Sequence, residues 1–312
     1  MKKNVLLIIS LFFTLSSYSQ TVDTIFVESK NIKIHTVLTT PTDIESAVLV
    51  IIIAGSGPTD LNGNQSHGIN NSLLYLSNAL VNNGISTVRF DKRGIAKSTY
   101  EGLSESDLSI EQYANDINLL IDYFKQKGFQ DIYIIGHSEG SLIGLISAQN
   151  TKPKGFISLC GVGNSADILL KKQLKPQLPP AFYNQVEIII DSLKNGQLVK
   201  SVPPQLNSLF RPSLQPYYIS WFKYSPTDLL KNLECPALIV QGEKDLQVDI
   251  LEAETLAKSL PNRNFVLIKD MNHVFKTISG DIQENLASYT NPDLPVNTEL
   301  IENIVEFINE QK

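Results

Sequence analysis

Residues 47–53 read Ala-Val-Leu-Val-Ile-Ile-Ile, apolar at every position. A strand with one wet face alternates apolar and polar residues, so an unbroken run of this length suits a strand covered on both sides. Residues 85–90 and 132–135 read as further strands, and 156–159, 237–240 and 265–268 repeat the buried-strand pattern. Helical stretches lie between them. Residues 72–83 stop at Gly84, and Ser109 opens a helix with a capping-box spacing to Gln112. Ile110, Tyr113, Ile117, Leu120, Ile121 and Phe124 fall on one face of that helix, which ends at Gly128. Residues 139–149, 252–260 and 298–309 supply more helices, and 24–29 with 32–39 read as a hairpin around Lys30-Asn31. Strands alternating with helices predict an α/β fold with a mainly parallel sheet flanked by helices.

One stretch breaks the rhythm. Residues 161–232 contain no convincing strand but hold eight of the 15 prolines. Proline removes a backbone donor and clashes with the preceding turn, so helices here are expected to be short. The stretch is expected to be a helical cap inserted into a core formed by 20–160 and 233–312. Its segment Tyr217-Tyr218-Ile219-Ser220-Trp221-Phe222-Lys223-Tyr224 is dense in aromatics. These suit either the seam between cap and core or the lining of an acyl pocket.

Residues 1–19 have the pattern of a signal peptide: Lys2 and Lys3, then an apolar run from Val5 to Leu15, then the small residues Ser17 and Ser19. The run is shorter than the about 20 residues a membrane-spanning helix needs. An exported protein, periplasmic or extracellular, with no membrane span after cleavage is therefore expected. The net charge of −6 and the absence of a basic stripe argue against nucleic acid as a partner. The two cysteines, Cys160 and Cys235, sit in or beside apolar strand-like runs at opposite ends of neighbouring strands, a placement that disfavours a disulfide.

Gly136-His137-Ser138-Glu139-Gly140 matches G-x-S-x-G, with a strand before it and a helix after it. That setting lifts a serine above the end of a sheet on a sharp turn, and Ser138 is the expected nucleophile. Of the four histidines, His35 lies in the hairpin, His67 in a polar loop and His137 beside the serine. His273 follows the last strand, where the chain order Ser, Asp, His places the base. The acid is expected after the strand 237–240, with Asp245 favoured over Glu243 and Asp249, and with Asp270 disfavoured by chain order. For an oxyanion hole the expected donors are the N–H of Glu139 and, from the loop Ala54-Gly55-Ser56-Gly57-Pro58, the N–H of Ser56. No H-E-x-x-H or Cys/His cluster calls for a metal or cofactor.

These segments together resemble the α/β-hydrolase superfamily, and more narrowly the bacterial esterases grouped with serine-aminopeptidase-like (S33-type) hydrolases. The matching pieces are Gly55-Ser56-Gly57-Pro58, Arg89-Phe90-Asp91-Lys92-Arg93-Gly94, the serine elbow, Tyr224-Ser225-Pro226, Cys235-Pro236, the run from Gln241 to Val248, and Asn272-His273. The resemblance implies an α/β-hydrolase fold, triad roles for Ser138, Asp245 and His273, and a cap formed by 161–232. It also implies that the Arg89 to Gly94 run braces the oxyanion loop. Leu61 departs from the arginine of relatives, and Ser141 from a third glycine after the elbow. The expected substrate is a small-molecule ester. The alternatives are an exopeptidase of the same fold, which would need an acidic pocket for an ammonium group, and a non-catalytic binding protein, which would be expected to lose a triad member.

Overall fold

The computed structural model describes residues 20–42, 47–102, 104–262 and 264–311. The expected signal peptide, residues 1–19, lies outside them. Among the described residues nine strands form one sheet: β1 (Gln20–Ser29), β2 (Ile32–Pro41), β3 (Val48–Ile53), β4 (Ser86–Phe90), β5 (Thr99–Tyr100), β6 (Asp131–His137), β7 (Gly155–Leu159), β8 (Ala237–Gly242) and β9 (Phe265–Ile268). Their order is β1-β2-β4-β3-β6-β7-β8-β9, with β5 paired to β2. From β4 to β9 every neighbouring pair is parallel, while β1–β2 and β2–β4 are antiparallel.

The helices are α1 (Ser72–Val81), α2 (Ile110–Gln126), α3 (Glu139–Thr151), α4 (Ala166–Leu174), α5 (Pro180–Lys194), α6 (Asn207–Phe210), α7 (Gln215–Trp221), α8 (Pro226–Lys231), α9 (Ile250–Ala257), α10 (Ile282–Ser288) and α11 (Thr298–Glu310). The apolar run in β3 is divided between two cores. Leu49, Ile51 and Ile53 pack with α2, α3 and α9, whereas Val48, Val50 and Ile52 pack with α1 and α11. Successive side chains on a strand point to opposite faces, so a strand covered on both sides has no position for a polar residue. The six α2 residues expected on one face are all buried, and Ser109 Oγ accepts the N–H of Gln112 at 3.3 Å.

One local expectation changes. Phe265, Val266 and Leu267 in β9 are only partly covered, Leu267 being 41% exposed. Among the described residues β9 is the last strand of the sheet and pairs only with β8, so it lacks the second neighbour that buries β3. His35 of the hairpin is buried in β2, with its Nδ1 2.7 Å from Asp91 Oδ2.

Between β7 and β8 the chain leaves the sheet and forms α4 to α8. Val186, Ile189, Ile190, Leu193, Phe210 and Phe222 make a separate small core there. Tyr217 and Leu230 instead join the core on the α2/α3 side, which fastens the insertion to the sheet domain.

Candidate active site

Ser138 sits between β6 and α3 with φ 54° and ψ −120°. A non-glycine residue with positive φ is strained, and it holds here because the surroundings leave no alternative. A Cβ on Gly136 would lie 2.4 Å from the Gly140 carbonyl oxygen, and one on Gly140 2.5 Å from the Ile53 carbonyl oxygen. Both glycines are therefore required by close backbone approach. The elbow is also pinned by the Ser138 N–H, which donates to Leu159 O at 2.9 Å.

Asp245 and His273 come from the loops after β8 and β9. His273 Nδ1 lies 2.7 Å from Asp245 Oδ2, and both side chains are almost fully buried. The other oxygen, Oδ1, accepts the backbone N–H groups of Gln247 at 2.8 Å and Val248 at 2.9 Å. Gln241 Nε2 donates to Oδ2 at 3.0 Å. Burial pushes the Asp245 pKa up, but the charge and hydrogen bond of His273 and the two amides outweigh it and hold it below the usual range. Of the other acids weighed, Glu243 is exposed and Asp249 caps α9 and pairs with Lys172 at 2.5 Å. Asp270 has Lys244 Nζ at 3.9 Å.

Ser138 and His273 line one cavity of about 250 Å³, and no hydrogen bond joins them. Two further cavities meet at Ser138 or Ser56 under the insertion. One, of about 290 Å³, is lined by Ser138, Leu142, Leu169, Leu170 and Trp221. The other, of about 410 Å³, is lined by Ser56, Lys92, Tyr113, Glu139, Tyr217 and Trp221. Within the aromatic segment Tyr217 packs in the core on the α2/α3 side, and Tyr217, Tyr218 and Trp221 line these cavities. Among the described residues the backbone N–H groups of Ser56 and Glu139 have no hydrogen-bond partner, and both residues border the cavities beside Ser138.

His137 has a positional role that spacing did not reveal. Its Nε2 is 2.9 Å from the backbone oxygen of His273, and the two rings are 4.7 Å apart. Burial, reinforced by His273, pushes the His137 pKa down to about 3, so the ring is neutral and Nε2–H donates. The Arg89 to Gly94 run does brace the loop after β3: Lys92 Nζ donates to Gly55 O at 2.6 Å, and Leu61 N–H donates to Asp91 Oδ1 at 2.8 Å. Leu61 itself is buried, so the departure from arginine places an apolar side chain at this point. Arg93 grips Asp116 with two hydrogen bonds, of 2.9 and 2.6 Å. From the insertion, Tyr217 OH donates to Glu139 Oε1. Cys160, buried and free, has its Sγ within 4.8 Å of ligand atoms of Asp245 and His273, and Cys235 is also free.

A mostly parallel sheet with helices on both faces, a helical insertion after β7 and a serine elbow after β6 make this chain an α/β-hydrolase in fold. Residues 66–199 match the family model of serine aminopeptidase, S33. The chain is 25% identical over 245 residues to esterase EstD of Thermotoga maritima, an alignment covering 77% of this chain and 57% of that protein. Among solved structures it is similar to Est1E of Butyrivibrio proteoclasticus with bound ferulic acid, at 21% identity and a TM-score of 0.59, covering 92% of this chain and 98% of that one. It is also similar to a proline iminopeptidase of Mycobacterium smegmatis, at 13% identity and a TM-score of 0.59, covering 93% and 98%.

Proposed function

We propose that the protein is a serine hydrolase that cleaves carboxylic esters through an acyl-enzyme on Ser138. The observation that carries this reading is the buried Asp245–His273 pair, whose imidazole shares a cavity with the elbow serine. Oγ of Ser138 attacks the ester carbonyl carbon while His273 Nε2 takes the hydroxyl proton. Asp245 accepts from Nδ1–H, fixing the tautomer and stabilising the imidazolium. The carbonyl oxygen becomes an oxyanion held by the N–H groups of Ser56 and Glu139. Collapse expels the alcohol oxygen, which takes the proton from His273. Water then attacks the acyl-enzyme by the same path and releases the acid and free Ser138.

The cavities divide the substrate. The leaving oxygen must lie within reach of His273, so the alcohol occupies the cavity that His273 lines. Gln65, His67, Asn70, Ser72, Gln247 and Thr290 border it, and among the described residues no Asp, Glu, Lys or Arg does. An uncharged, hydroxylated alcohol fits such a wall. The acyl group then points under the insertion toward Leu142, Leu169, Leu170 and Trp221, which suits a small or medium apolar acid.

An aminopeptidase would need a carboxylate free to meet a substrate ammonium. The two carboxylates of the largest of the three cavities are engaged: Glu139 by Tyr217, and Glu105 by Arg211 and by Ser213 at 2.5 Å. That supports ester over aminoacyl substrates. Export belongs to the same proposal and rests on the composition of residues 1–19. Cell fractionation with N-terminal sequencing of the mature chain tests it.

The activity is tested with p-nitrophenyl acetate, p-nitrophenyl octanoate and an aminoacyl p-nitroanilide, alongside Ser138→Ala. Ester turnover that vanishes in the alanine variant is expected, with fluorophosphonate labelling of Ser138. Anilide turnover above ester turnover would overturn the ester reading, and an active alanine variant would overturn the nucleophile.

A further inference from the structure

Lys92 is a buried cation that the reaction above does not use. It lies just past the end of β4, with Nζ 2.6 Å from the carbonyl oxygen of Gly55 and 5.5 Å from the centre of the Tyr113 ring. The Gly55 carbonyl and the Ser56 N–H belong to one planar trans peptide unit, so they point in opposite directions. Whatever anchors that carbonyl aims that N–H. Glycine at position 55 makes the anchoring necessary, because a residue without a Cβ leaves the adjoining peptide free to rotate.

From these contacts we infer that Lys92 is a positioning residue for the oxyanion hole, holding the Gly55–Ser56 peptide with its N–H toward the substrate oxygen. The inference rests on the ester-hydrolase reading and adds to it a residue that never touches substrate. Two effects combine. The ammonium fixes the peptide plane before substrate arrives, so no reorganisation is needed when charge develops. It also stands at the head of a hydrogen-bond chain, from Nζ–H to the carbonyl and from the same peptide's N–H to the oxyanion, and such chains polarise each other.

Burial pushes the Lys92 pKa down, and the Glu139 carboxylate offsets only part of that shift. Glu139 also carries the second oxyanion N–H and accepts a hydrogen bond from Tyr217 of α7. One cation thus acts directly on the peptide of the first donor and electrostatically on the residue of the second. Among the described residues Lys92 is the side chain that donates to the Gly55 carbonyl, while Thr59 and Gln65 donate to the next one, of Ser56, at 2.8 and 3.1 Å.

The test compares Lys92→Met, Lys92→Gln and Lys92→Arg on p-nitrophenyl butyrate, with inhibition constants for a boronic acid, which forms a tetrahedral adduct on serine, and for a non-covalent ester analogue. Lys92→Met is expected to lose on the order of 100-fold in kcat, the scale of one oxyanion donor, with KM within about twofold. Boronate affinity should fall in parallel, while the ester analogue binds as before. Lys92→Arg, which can still donate to the carbonyl, should recover most of the loss, and Lys92→Gln should fall between. Thermal melts establish which variants fold, and Lys92→Gln carries the comparison where Lys92→Met does not. Losses equal in KM and kcat, equal weakening of both inhibitors, or no recovery in Lys92→Arg would overturn the inference. Failure of the parent reading is seen separately, as turnover that persists in Ser138→Ala.

Discussion

His137 Nε2 donates to the backbone carbonyl of His273 at 2.9 Å, so the residue before the elbow serine holds the main chain of the residue assigned as its base. Placement errors of about 1 Å cost on the order of 100-fold in rate. His137→Phe keeps a ring against Phe275 but removes the donor. Its kcat on p-nitrophenyl butyrate is expected to drop about 10- to 100-fold, with KM nearly unchanged. Steady-state kinetics checks this.

The same side chain makes stability depend on pH. In the folded chain its pKa is about 3, below the unfolded value of 6.5, so the unfolded state binds the proton more readily between those values. The stabilising contribution is complete above pH 6.5 and is lost as pH falls toward 3. From pH 7 to 4.5 the loss is on the order of 3 kcal/mol. Urea melts at the two pH values should show that the wild type loses more stability over this interval than His137→Phe, by about that amount.

Asp245→Asn would preserve shape while removing the charge that faces His273. Triad carboxylate-to-amide changes cost about 10⁴-fold in kcat because the imidazole takes the wrong tautomer. A drop of that order is expected, with a melting temperature near that of the wild type. A rate within tenfold of wild type would exclude Asp245 as the acid.

Gly140→Ala forces a Cβ to within 2.5 Å of Ile53 O and 2.7 Å of Ala54 O. Backbone oxygens at the end of a central strand cannot give way cheaply. Low soluble yield, or destabilisation of about 3 kcal/mol or more, is expected, measured against Gly102→Ala. Gly102 has open space around its added Cβ, so only its positive φ is strained there.

Arg93→Met leaves the Asp116 carboxylate buried without its guanidinium. Burial raises the Asp116 pKa, and Arg93 is the group that counters this. Removing one member of a buried pair costs roughly 3–5 kcal/mol, whereas apolar replacement of both is tolerated better. The double variant Arg93→Met with Asp116→Leu is therefore expected to be the more stable of the two in chemical denaturation.

The sheet was legible because a strand buried on both faces leaves no polar position, and β3 shows this without a break. β9 reads as buried because its residues are equally apolar, and position at the sheet edge is a property of neighbours rather than of the segment. Motif, context and chain order pick out Ser138, Asp245 and His273, and the structure pairs Asp245 with His273 and puts Ser138 and His273 on one cavity. The contact of Tyr217 with Glu139 spans 78 positions, and that of Lys92 with Gly55 spans 37. Neither belongs to a local pattern: Tyr217 reaches from α7 of the insertion to the first residue of α3, and Lys92 from the loop after β4 to the loop after β3. His35 and Asp91 were hidden in the same way, as a buried pair formed across β2 and the end of β4.

The insertion between β7 and β8 holds its own apolar centre around Val186, Ile190 and Phe222, while the elbow, Asp245 and His273 are all carried by the sheet domain. Mutational drift in α4 to α6 can therefore reshape what enters from that side while the elbow, Asp245 and His273 stay on the sheet domain. Selection on substrate choice and selection on chemistry fall on different stretches of the chain and meet at Glu139 under Tyr217. A lineage built this way can acquire new specificities by revising its lid while its reaction stays constant.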